Sequence, residues 1–381
     1  MLEFWHPQNI EVYSEPLRGA RNAANVRDFS GVRVRRMTRR LLEHAIAGRV
    51  LSGAEAEELL EELLAGRIET LEIVQLLTAV NARAYRAEEL AGFARAMRRH
   101  ATKVFGEGET LPERMVDTCG TGGDDSGTFN ISTAAAIVAA AGGARVAKHG
   151  NRAASSQCGS ADVLEALGVR IDLPFERIGR GIREIGIGFL FAQAAHTAMR
   201  HATPARKQIG VRTVFNLLGP LTNPAHAQAQ VLGVFSEEVV DVMAGTLAEL
   251  GTQHAFVVHG TGKLDEISLA GPTIVAEVRE GSVRRYHVMP EDFGKKPAPL
   301  VAIRGGNAED NAKLLLELLE GSNDGEQARA RHDIVVVNAA AALVAGGRAG
   351  SFREGAELAE KAIRSGAAQA KLQELRIFAE G

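Results

Sequence analysis

The segment from Asp117 to Thr133, DTCGTGGDDSGTFNIST, constrains this chain more than any other part of its sequence. Four glycines fall within eight residues, at positions 120, 122, 123 and 127, between a β-like run ending near Cys119 and an Ala-rich stretch that predicts a helix from about Ser132. A strand, a glycine loop and a helix N-terminus in this order favour a phosphate, because the loop exposes N–H groups and the helix dipole is positive there. The pattern predicts an anion site, with side-chain donors at Asn130, Ser132 and Thr133.

This loop differs from the two common phosphate loops of α/β proteins. Gly122 and Gly127 have the outer spacing of a P-loop, but Thr128 stands where that loop requires Lys. Gly120 and Gly122 begin a dinucleotide fingerprint, but Asp125 replaces its third glycine. The segment is therefore neither of these loops, and an ordinary strand-to-helix turn remains the alternative to phosphate binding.

A second loop of the same kind spans residues 148 to 162, again after a β-like run and before a predicted helix. Lys148 supplies a positive charge, and Ser155, Ser156 and Ser160 supply hydroxyl donors. Loops of successive strand–helix units meet at the carboxyl edge of a parallel sheet, where open α/β folds bind ligands. The two loops together predict a ligand with two phosphate groups, whereas Asp162 is predicted only to cap its helix.

Adjacent carboxylates at Asp265 and Glu266 lie between apolar neighbours after a third β-like run. Hard cations such as Mg²⁺ prefer oxygen ligands and usually keep water and substrate phosphates in their shell. A solvated acid pair is the simpler interpretation of these residues in isolation. Beside a diphosphate site, a metal site becomes the favoured interpretation.

The stretch from Arg206 to Pro224 carries a candidate group for recognising a carboxylate. The guanidinium of Arg206 has a fork of donors that matches a carboxylate. The ring of Pro220, in a Gly-Pro turn, is suited to wall an aromatic ligand. A surface arginine and a structural proline are the alternatives, and Arg212 and Asn216 are predicted to hold the turn together.

Hydrophobic periodicity predicts an α/β protein with a helical N-terminal part. From about Met37 to Val104 apolar residues recur at helical spacing, and Ser52 with Glu55 forms a capping box. After Pro112, short β-like runs alternate with helical stretches, which predicts a largely parallel sheet with helices on its faces. The runs are residues 115–119, 145–148, 255–259 and 334–338.

Three regions follow from these patterns. Residues 1–36 show no helical or strand period and are predicted to be an N-terminal extension. Residues 37–110 are predicted to form a helical domain, and residues 111–381 the α/β domain that carries both loops. A chain of 381 residues is long enough to bury a hydrophobic core without a disulfide or a structural metal.

Charge and cysteine content exclude several classes of protein. Lys and Arg number 44 and Asp and Glu 47, a formal net charge of -3, which argues against a dedicated nucleic-acid or membrane-surface protein. Two cysteines, Cys119 and Cys158, are too few for a disulfide framework or a four-cysteine zinc site. No apolar run approaches membrane-spanning length and nothing resembles a secretory signal, so we expect a cytoplasmic protein.

Several motifs in one order give the chain a specific resemblance. They are GTGGD at 120–124, NIST at 130–133, KHGNR at 148–152, RT at 212–213 continuing to NLLGPLTNP at 216–224, and LDE at 264–266, followed by NA at 311–312 and NAAA at 338–341. One such motif would be weak evidence, but this ungapped series is specific. Over about residues 37–375 the chain resembles the anthranilate phosphoribosyltransferase family.

The resemblance implies a fold, a reaction and an assembly. The family has a small helical domain and a large α/β domain with a central mainly parallel sheet, an arrangement called nucleoside phosphorylase/phosphoribosyltransferase-like. The helical domain includes a mid-chain return, here near 205–225. Members use Mg²⁺ and join anthranilate to phosphoribosyl pyrophosphate, giving N-(5-phosphoribosyl)anthranilate and pyrophosphate in tryptophan biosynthesis. They are usually homodimers through the helical domain, with the active site between the domains.

Matching the motifs position by position implies a set of site residues. The phosphoribosyl donor is expected to contact Gly120, Gly123, Asp124, Thr128, Asn130, Ile131, Ser132, Thr133, Lys148, His149, Gly150, Asn151, Arg152, Ala153, Ala154, Ser155, Ser156 and Ser160. Anthranilate is expected to contact Gly120, Asn151, Arg206 and Pro220, and Mg²⁺ is expected to bind Ser132, Asp265 and Glu266. His149 is a candidate acceptor for the proton that the amine loses, with a structural role as the favoured alternative.

The chain departs from the family pattern at a few positions. Gln193 and Thr197 each replace a common Pro, and residues 84–86 read Ala-Tyr-Arg where Lys-Gly-Glu is common. These departures concern the local backbone and the subunit interface more than the chemistry.

Two rival functions remain open at this point. One is a pyrimidine nucleoside phosphorylase of the same architecture, against which the acid pair and the residues Asn151 and Arg206 argue. The other is a non-catalytic paralogue that binds nucleic acid, against which the slightly acidic net charge argues.

Overall fold

The computed structural model describes residues 29–381 apart from 125, 154–156 and 323, with side chains described from Thr38 onward. Most of the predicted extension over 1–36 therefore lies outside the described residues. Its last part contradicts the expectation that no helical period persists there, because a helix runs from Phe29 to Ile46. This stretch contains no Pro and a single Gly, so nothing in it interrupts the helix that the later apolar residues continue.

The described part of the chain forms fifteen α-helices and seven β-strands. The helices are α1 (Phe29–Ile46), α2 (Gly53–Leu64), α3 (Thr70–Asn81), α4 (Ala87–His100), α5 (Ile131–Ala141), α6 (Ser160–Ala166), α7 (Phe175–Glu184), α8 (Ala192–Ala195), α9 (Thr203–Ile209), α10 (Val214–Leu218), α11 (Val240–Glu249), α12 (Ala308–Leu319), α13 (Glu326–Ala345), α14 (Phe352–Arg364) and α15 (Ala367–Glu380). The strands are β1 (Met115–Gly120), β2 (Arg145–Gly150), β3 (Ile187–Phe191), β4 (Ala229–Gly233), β5 (His254–Gly260), β6 (Thr273–Arg279) and β7 (Ser282–Val288). None of the helices in this part of the chain is both long and apolar enough to cross a lipid bilayer.

Local signals place the ends of α2 where the sequence predicts them. The N–H of Ser52 donates to Glu55 Oε2 at 2.9 Å and the N–H of Glu55 donates to Ser52 Oγ at 3.4 Å, which confirms the capping box. Gly66 adopts a φ of 73° just after the helix, a left-handed conformation that favours glycine. Leu59 and Leu63 are fully buried, and α2 packs against α4.

The seven strands of the described residues form one sheet in the order β3-β2-β1-β4-β5-β6-β7. The first five in this order are parallel to one another, whereas β6 and β7 are antiparallel additions at one side. The loops that follow the parallel strands therefore lie at one edge of the sheet, the carboxyl edge. This arrangement confirms the predicted α/β fold with a mainly parallel sheet.

The β-like run at 334–338 is not a strand, and that prediction was wrong. It lies inside α13, a helix of 20 residues that packs against α5 and α14. The four residues from Ile334 to Val337 are each 0% exposed, so this part of the helix is buried on every side. A helix buried all round carries a continuous apolar run, which periodicity does not distinguish from a buried strand.

The N-terminal helices share a hydrophobic core with a later part of the chain. Ala205 in α9 and Phe215 in α10 are buried in the same cluster as apolar residues of α2, α3 and α4. Val257 of β5 belongs to this cluster, whereas its neighbour Phe256 belongs to the core formed with α5 and α13. The sheet thus has helices on both faces, and the chain between β3 and β4 packs in the helical layer. The domain limits at 36/37 and 110/111 stay predictions.

Candidate active site

The first glycine loop joins β1 to α5 at the carboxyl edge of the sheet. Gly122, Gly123 and Gly127 adopt φ angles of 65°, 74° and 64°, left-handed conformations that other residues rarely adopt. The helix begins at Ile131, close to the predicted start at Ser132. The loop turns sharply into the first turn of α5, where the N–H groups of Ile131 and Thr133 donate to the carbonyls of Phe129 and Asn130 at 2.7 and 3.1 Å. The positive end of the helix dipole lies beside the loop there, which favours an anion.

Gly120, the last residue of β1, lets the acid pair approach this loop closely. A Cβ atom at Gly120 would overlap Oδ2 of Asp265, and one at Gly233, at the end of the neighbouring β4, would overlap the carbonyl of Asp265. Oδ2 of Asp265 accepts a hydrogen bond from the N–H of Gly122 at 3.1 Å. Two glycines on adjacent strands therefore leave room for Asp265 against the glycine loop, a contact that the sequence analysis did not predict.

The second loop joins β2 to α6. The N–H of Asn151 donates to Ser160 Oγ at 3.1 Å, and Asp162 Oδ2 accepts from the N–H groups of Gly159 and Ala153, each at 2.9 Å. Asp162 is therefore a helix-capping residue, which confirms that prediction. Three residues expected to contact the donor lie outside the described residues: Ala154, Ser155 and Ser156.

The two loops lie side by side. Their strands, β1 and β2, are parallel neighbours, and Asn130 Nδ2 of the first loop donates to the carbonyl of Cys158 in the second at 3.2 Å. Asn311 Nδ2, from α12, donates to Asn130 Oδ1 at 3.0 Å and so fixes the amide that joins the loops. This contact confirms that the loops are adjacent at the carboxyl edge, while the ligand roles of their residues stay predictions.

Lys148, near the end of β2, is only 3% exposed and reaches toward the first loop. Its Nζ donates to the carbonyl of Thr118 at 2.5 Å and to Ser132 Oγ at 3.3 Å. Burial lowers the pKa of Lys148, and the nearby charges of Asp117 and Glu266 oppose that change. The ammonium group therefore lies beside the first turn of α5, close to one of the expected metal ligands.

Asp265 and Glu266 follow β5 and are partly buried beside Asp124. Loss of solvation, reinforced by the negative charge of Asp124, raises the pKa of Asp265 to about 7. Loss of solvation and the charge of Asp265 also raise the pKa of Glu266 well above its usual value. Carboxylates this close together repel one another when ionised. A divalent cation between them would relieve that repulsion.

The chemistry of this donor set fits Mg²⁺. Its carboxylates are the hard oxygen ligands that Mg²⁺ prefers, and Ser132 adjoins them because its N–H donates to Glu266. The described residues place no group of three or more His, Cys, Asp or Glu side chains to hold a metal ion. Asp265, Glu266 and Ser132 would fill only part of the octahedral coordination shell of Mg²⁺. The rest suits water and ligand phosphates, the usual surroundings of Mg²⁺ in phosphate-transferring enzymes.

The residues Arg206 and Pro220, expected to contact anthranilate, both lie in the mid-chain return. Arg206 of α9 holds its guanidinium over the ring of Phe215, 5.6 Å from the centroid, and burial lowers its pKa. No carboxylate among the described residues influences that pKa, so the cation has no acidic partner there. Pro220 is buried, and its carbonyl accepts from Gln230 Nε2 at 2.7 Å. This arginine is therefore suited to bind a carboxylate from a ligand.

Neighbouring polar groups hold the mid-chain return in place. Asn216 Oδ1 accepts from the N–H of Thr213 at 3.0 Å and caps α10, as expected for a residue that stabilises this turn. The guanidinium of Arg212 lies over the ring of Phe235, 4.8 Å from the centroid. The contact of Asn216 confirms the structural role predicted for it, while the role predicted for Arg212 in this turn stays a prediction.

Arg152, expected to contact the donor, is already engaged with carboxylates. One of its guanidinium nitrogens lies 2.9 Å from Glu165 Oε1 and another lies 3.0 Å from Asp162 Oδ1. Its charge is thus largely compensated within α6, and a direct role toward the donor would require these ion pairs to break.

A buried polar network beside the two loops was missed by the sequence analysis. Asp117 is 0% exposed, and its carboxylate accepts from Asn223 Nδ2 at 2.8 Å and from the N–H of His149 at 3.0 Å. Burial raises the pKa of Asp117 to about 6. The signal that points to such a network is an acidic residue inside an apolar strand, which is costly unless it is hydrogen-bonded.

His149 is buried beside His196, with the ring centroids 5.2 Å apart. Burial, together with the charge of a protonated His196, lowers the pKa of His149 to about 3. Its Nε2 has no hydrogen-bond partner among the described residues. The imidazole is therefore neutral and weakly basic near neutral pH, which favours the structural alternative over a proton acceptor.

We expect the rate–pH profile to show no inflection from His149 between about pH 5 and pH 8. A histidine whose pKa in the folded protein is about 3 begins to protonate only as the pH falls toward that value. A His149→Gln variant should keep the shape of the wild-type profile, whatever its absolute rate. The measurement is kcat/KM against pH for both proteins. An acid limb that disappears on substitution would contradict this expectation.

Comparison with known proteins matches both parts of the chain. Residues 39–101 match a family described as "Glycosyl transferase family, helical bundle domain", and residues 112–369 match "Glycosyl transferase family, a/b domain". The anthranilate phosphoribosyltransferase of Pelotomaculum thermopropionicum is 50% identical over 342 residues, covering 90% of this chain and 96% of that protein. That of Rubrobacter xylanophilus is 50% identical over 337 residues, covering 88% and 96%.

Solved structures give the same result. The crystal structure of anthranilate phosphoribosyltransferase from Thermus thermophilus has a TM-score of 0.83 and 47% identity, covering 90% of this chain and 99% of that one. The Saccharomyces cerevisiae protein in complex with PRPP and Mg has a TM-score of 0.79 and 28% identity, covering 92% and 98%. The same yeast protein in complex with 4-fluoroanthranilate has a TM-score of 0.78 and 28% identity, covering 93% and 99%.

Proposed function

The chain belongs to the anthranilate phosphoribosyltransferase family, and we propose that its two loops, acid pair and mid-chain return carry out phosphoribosyl transfer to anthranilate. The protein moves the 5-phosphoribosyl group from phosphoribosyl pyrophosphate to the amine of anthranilate. The products are N-(5-phosphoribosyl)anthranilate, an intermediate of tryptophan biosynthesis, and pyrophosphate. It is thus a glycosyltransferase that transfers a pentosyl group.

The phosphoribosyl donor is proposed to bind along the two glycine loops. The first loop brings the glycines around Gly123 to the positive end of α5. The second loop brings Asn151 to Ala153 and Ser160, whose N–H and hydroxyl groups hydrogen-bond within the loop and shape its backbone. The hydrogen bond between Asn130 and Cys158 supports this role, because it holds the loops close enough to share one ligand. One loop is proposed to bind the 5-phosphate and the other the pyrophosphate.

Pyrophosphate leaves readily only when its negative charge is neutralised. Asp265, Glu266 and Ser132 are the residues that would hold Mg²⁺, and the ion supplies positive charge to the leaving group when it is bound. Lys148, hydrogen-bonded to Ser132, adds a fixed positive charge beside the same helical turn. Lys148 and the carboxylates are already in position before the reaction, so little reorganisation is needed when the bond to the anomeric carbon breaks.

Anthranilate is proposed to be oriented by Asn151, Arg206 and Pro220, with Gly120 as a further contact. The guanidinium pairs with the carboxylate of the substrate, and the proline ring flanks its aromatic ring. The aryl amine is a neutral nucleophile, so neither a strong base nor a covalent intermediate is required. Holding the amine close to the anomeric carbon lowers the barrier by proximity. The low pKa of His149 agrees with a mechanism that needs no base at that position.

The hydrogen bond from Gly122 to Asp265 is the observation that carries this proposal, since it joins the expected metal ligands to the expected donor loop. The test follows the fluorescence of anthranilate with the purified protein. We expect the signal to fall only when both the donor and Mg²⁺ are present, and to stay constant after chelation of the metal.

The same preparation tests the rival functions. Turnover of a pyrimidine nucleoside with phosphate, without turnover of anthranilate, would replace the proposal with the phosphorylase. Salt-dependent DNA binding without either activity would favour the nucleic-acid-binding paralogue. A homodimer formed through the helical domain stays a prediction that rests on the resemblance to the family. A cytoplasmic location stays a prediction that rests on the pattern of the sequence.

A further inference from the structure

We propose that Gln193 is a positioning residue that fixes the orientation of the Asn151 side-chain amide toward anthranilate. The inference rests on the proposed function and extends it to a residue at which this chain departs from the family pattern. Gln193 itself is exposed and is not assigned any contact with substrate.

The register of two strands brings these residues together. β2 and β3 are parallel and end level with each other, since Gly150 pairs with Phe191. Asn151 directly follows the end of β2, and Gln193 lies in α8, the short helix that directly follows β3. Gln193 Nε2 donates to Asn151 Oδ1 at 3.3 Å, so the helix after β3 contacts the second glycine loop.

Two donors converge on the same oxygen of Asn151. Besides Gln193 Nε2, the N–H of Arg152 donates to Asn151 Oδ1 at 2.8 Å. The oxygen edge of the amide is therefore held on this side, and the nitrogen edge faces away from it. Among the described residues, Asn151 Nδ2 has no hydrogen-bond partner. The amide thus keeps both of its N–H donors available for a ligand.

The polarity of this amide decides how it meets anthranilate. A carboxylate only accepts hydrogen bonds, so it matches the nitrogen edge of Asn151 and is repelled by the oxygen edge. Rotation of the amide by half a turn would exchange the two edges at no steric cost. The backbone N–H of Arg152 opposes that rotation, because a reversed amide would direct N–H groups at a donor that cannot turn away, and Gln193 Nε2 adds a second donor on the same side. The Pro that is common at this position in the family has no side-chain donor and makes no such contact.

The first test replaces Gln193 by Leu, which removes the hydrogen-bond donor Nε2 and keeps a side chain of similar size. We expect KM for anthranilate to rise roughly three- to tenfold, the change that one neutral hydrogen bond supports. The KM for phosphoribosyl pyrophosphate and kcat at saturating substrates should stay at wild-type values. Gln327→Leu is the matched control, because Gln327 is exposed on α13 and makes no side-chain hydrogen bond in the described part of the chain.

A double-mutant cycle separates positioning from any independent effect. In an Asn151→Ala background, Gln193→Leu should have no further effect on KM for anthranilate, since no amide remains to be oriented. Equal effects in both backgrounds, or a Gln193→Leu protein with wild-type KM for anthranilate, would overturn the inference. Melting temperatures of all variants show whether the fold is kept.

Measurements on the wild-type protein distinguish failure of the proposed function from failure of the inference about Gln193. If the wild-type protein does not consume anthranilate, the proposed function fails and the inference falls with it. If the wild-type protein is active and the Gln193 variants behave like the Gln327 control, only the inference fails.

Discussion

Replacing Asp265 by Asn and Glu266 by Gln together is expected to lower turnover by at least about a hundredfold at saturating substrates. Both carboxylates are partly buried next to Asp124, and Asp265 is hydrogen-bonded to the N–H of Gly122 in the donor loop. Neutral amides of the same shape keep the packing but remove the negative charge that would hold Mg²⁺. The measurement is the rate of anthranilate consumption against Mg²⁺ concentration, and the variant should need far more metal for its residual rate.

The stability of the same variant distinguishes loss of the cation from loss of the fold. The pKa of Asp265 in the folded protein is about 7, above the usual value for Asp, so the folded state binds this proton more tightly than the unfolded state does. Its contribution to stability is therefore present at acidic pH and is lost as the pH rises through about 7. Without Mg²⁺, the neutral variant should melt at a higher temperature than the wild type at alkaline pH, and this difference should shrink in acid.

An exposed pair of neighbouring acids provides the control for this experiment. Glu291 and Asp292 lie on the surface after β7, and their replacement by Gln and Asn should leave the dependence on Mg²⁺ unchanged. An unaltered Mg²⁺ titration in the Asp265/Glu266 variant would remove the metal role from these residues.

Arg206→Ala is expected to raise KM for anthranilate by roughly ten- to a hundredfold, because hydrogen bonds to a charged group contribute about 1.5–3 kcal/mol. The guanidinium is partly buried over Phe215 and has no acidic partner among the described residues, so it is available to a substrate carboxylate. The donor binds elsewhere in the proposed site, and its KM should change little. Steady-state kinetics with each substrate varied in turn measure both constants.

Two further variants separate the charge of Arg206 from its donor geometry and control for the loss of a cation from α9. Arg206→Lys keeps the charge but loses the fork of donors, so it should recover only part of the affinity for anthranilate. Lys207→Ala removes an exposed cation from the same helix and should behave like the wild type. Equal rises in the KM values of donor and anthranilate for Arg206→Ala would contradict the assigned role.

Features coded within a few neighbouring residues were predictable. The capping box at Ser52 and Glu55, the left-handed Gly66 and the glycine loop after β1 each follow from local backbone chemistry. The strand prediction for 334–338 failed because a run of apolar residues reports burial and does not report the element that is buried. The register that joins Gln193 to Asn151 had no local signal, since it depends on the pairing of β2 with β3.

The sequence by itself determined the α/β class, the two glycine loops and, through the ordered motifs, the family. Only the tertiary structure decided that Asp265 lies against Gly122, 143 positions away in the chain, and that glycines at 120 and 233 leave room for it. It also decided that His149 is buried and neutral, and that Asp117 is paired with Asn223. The physical reason is that backbone conformation depends on neighbouring residues. Desolvation, charge repulsion and hydrogen bonding between distant side chains depend on how the sheet and its helices pack.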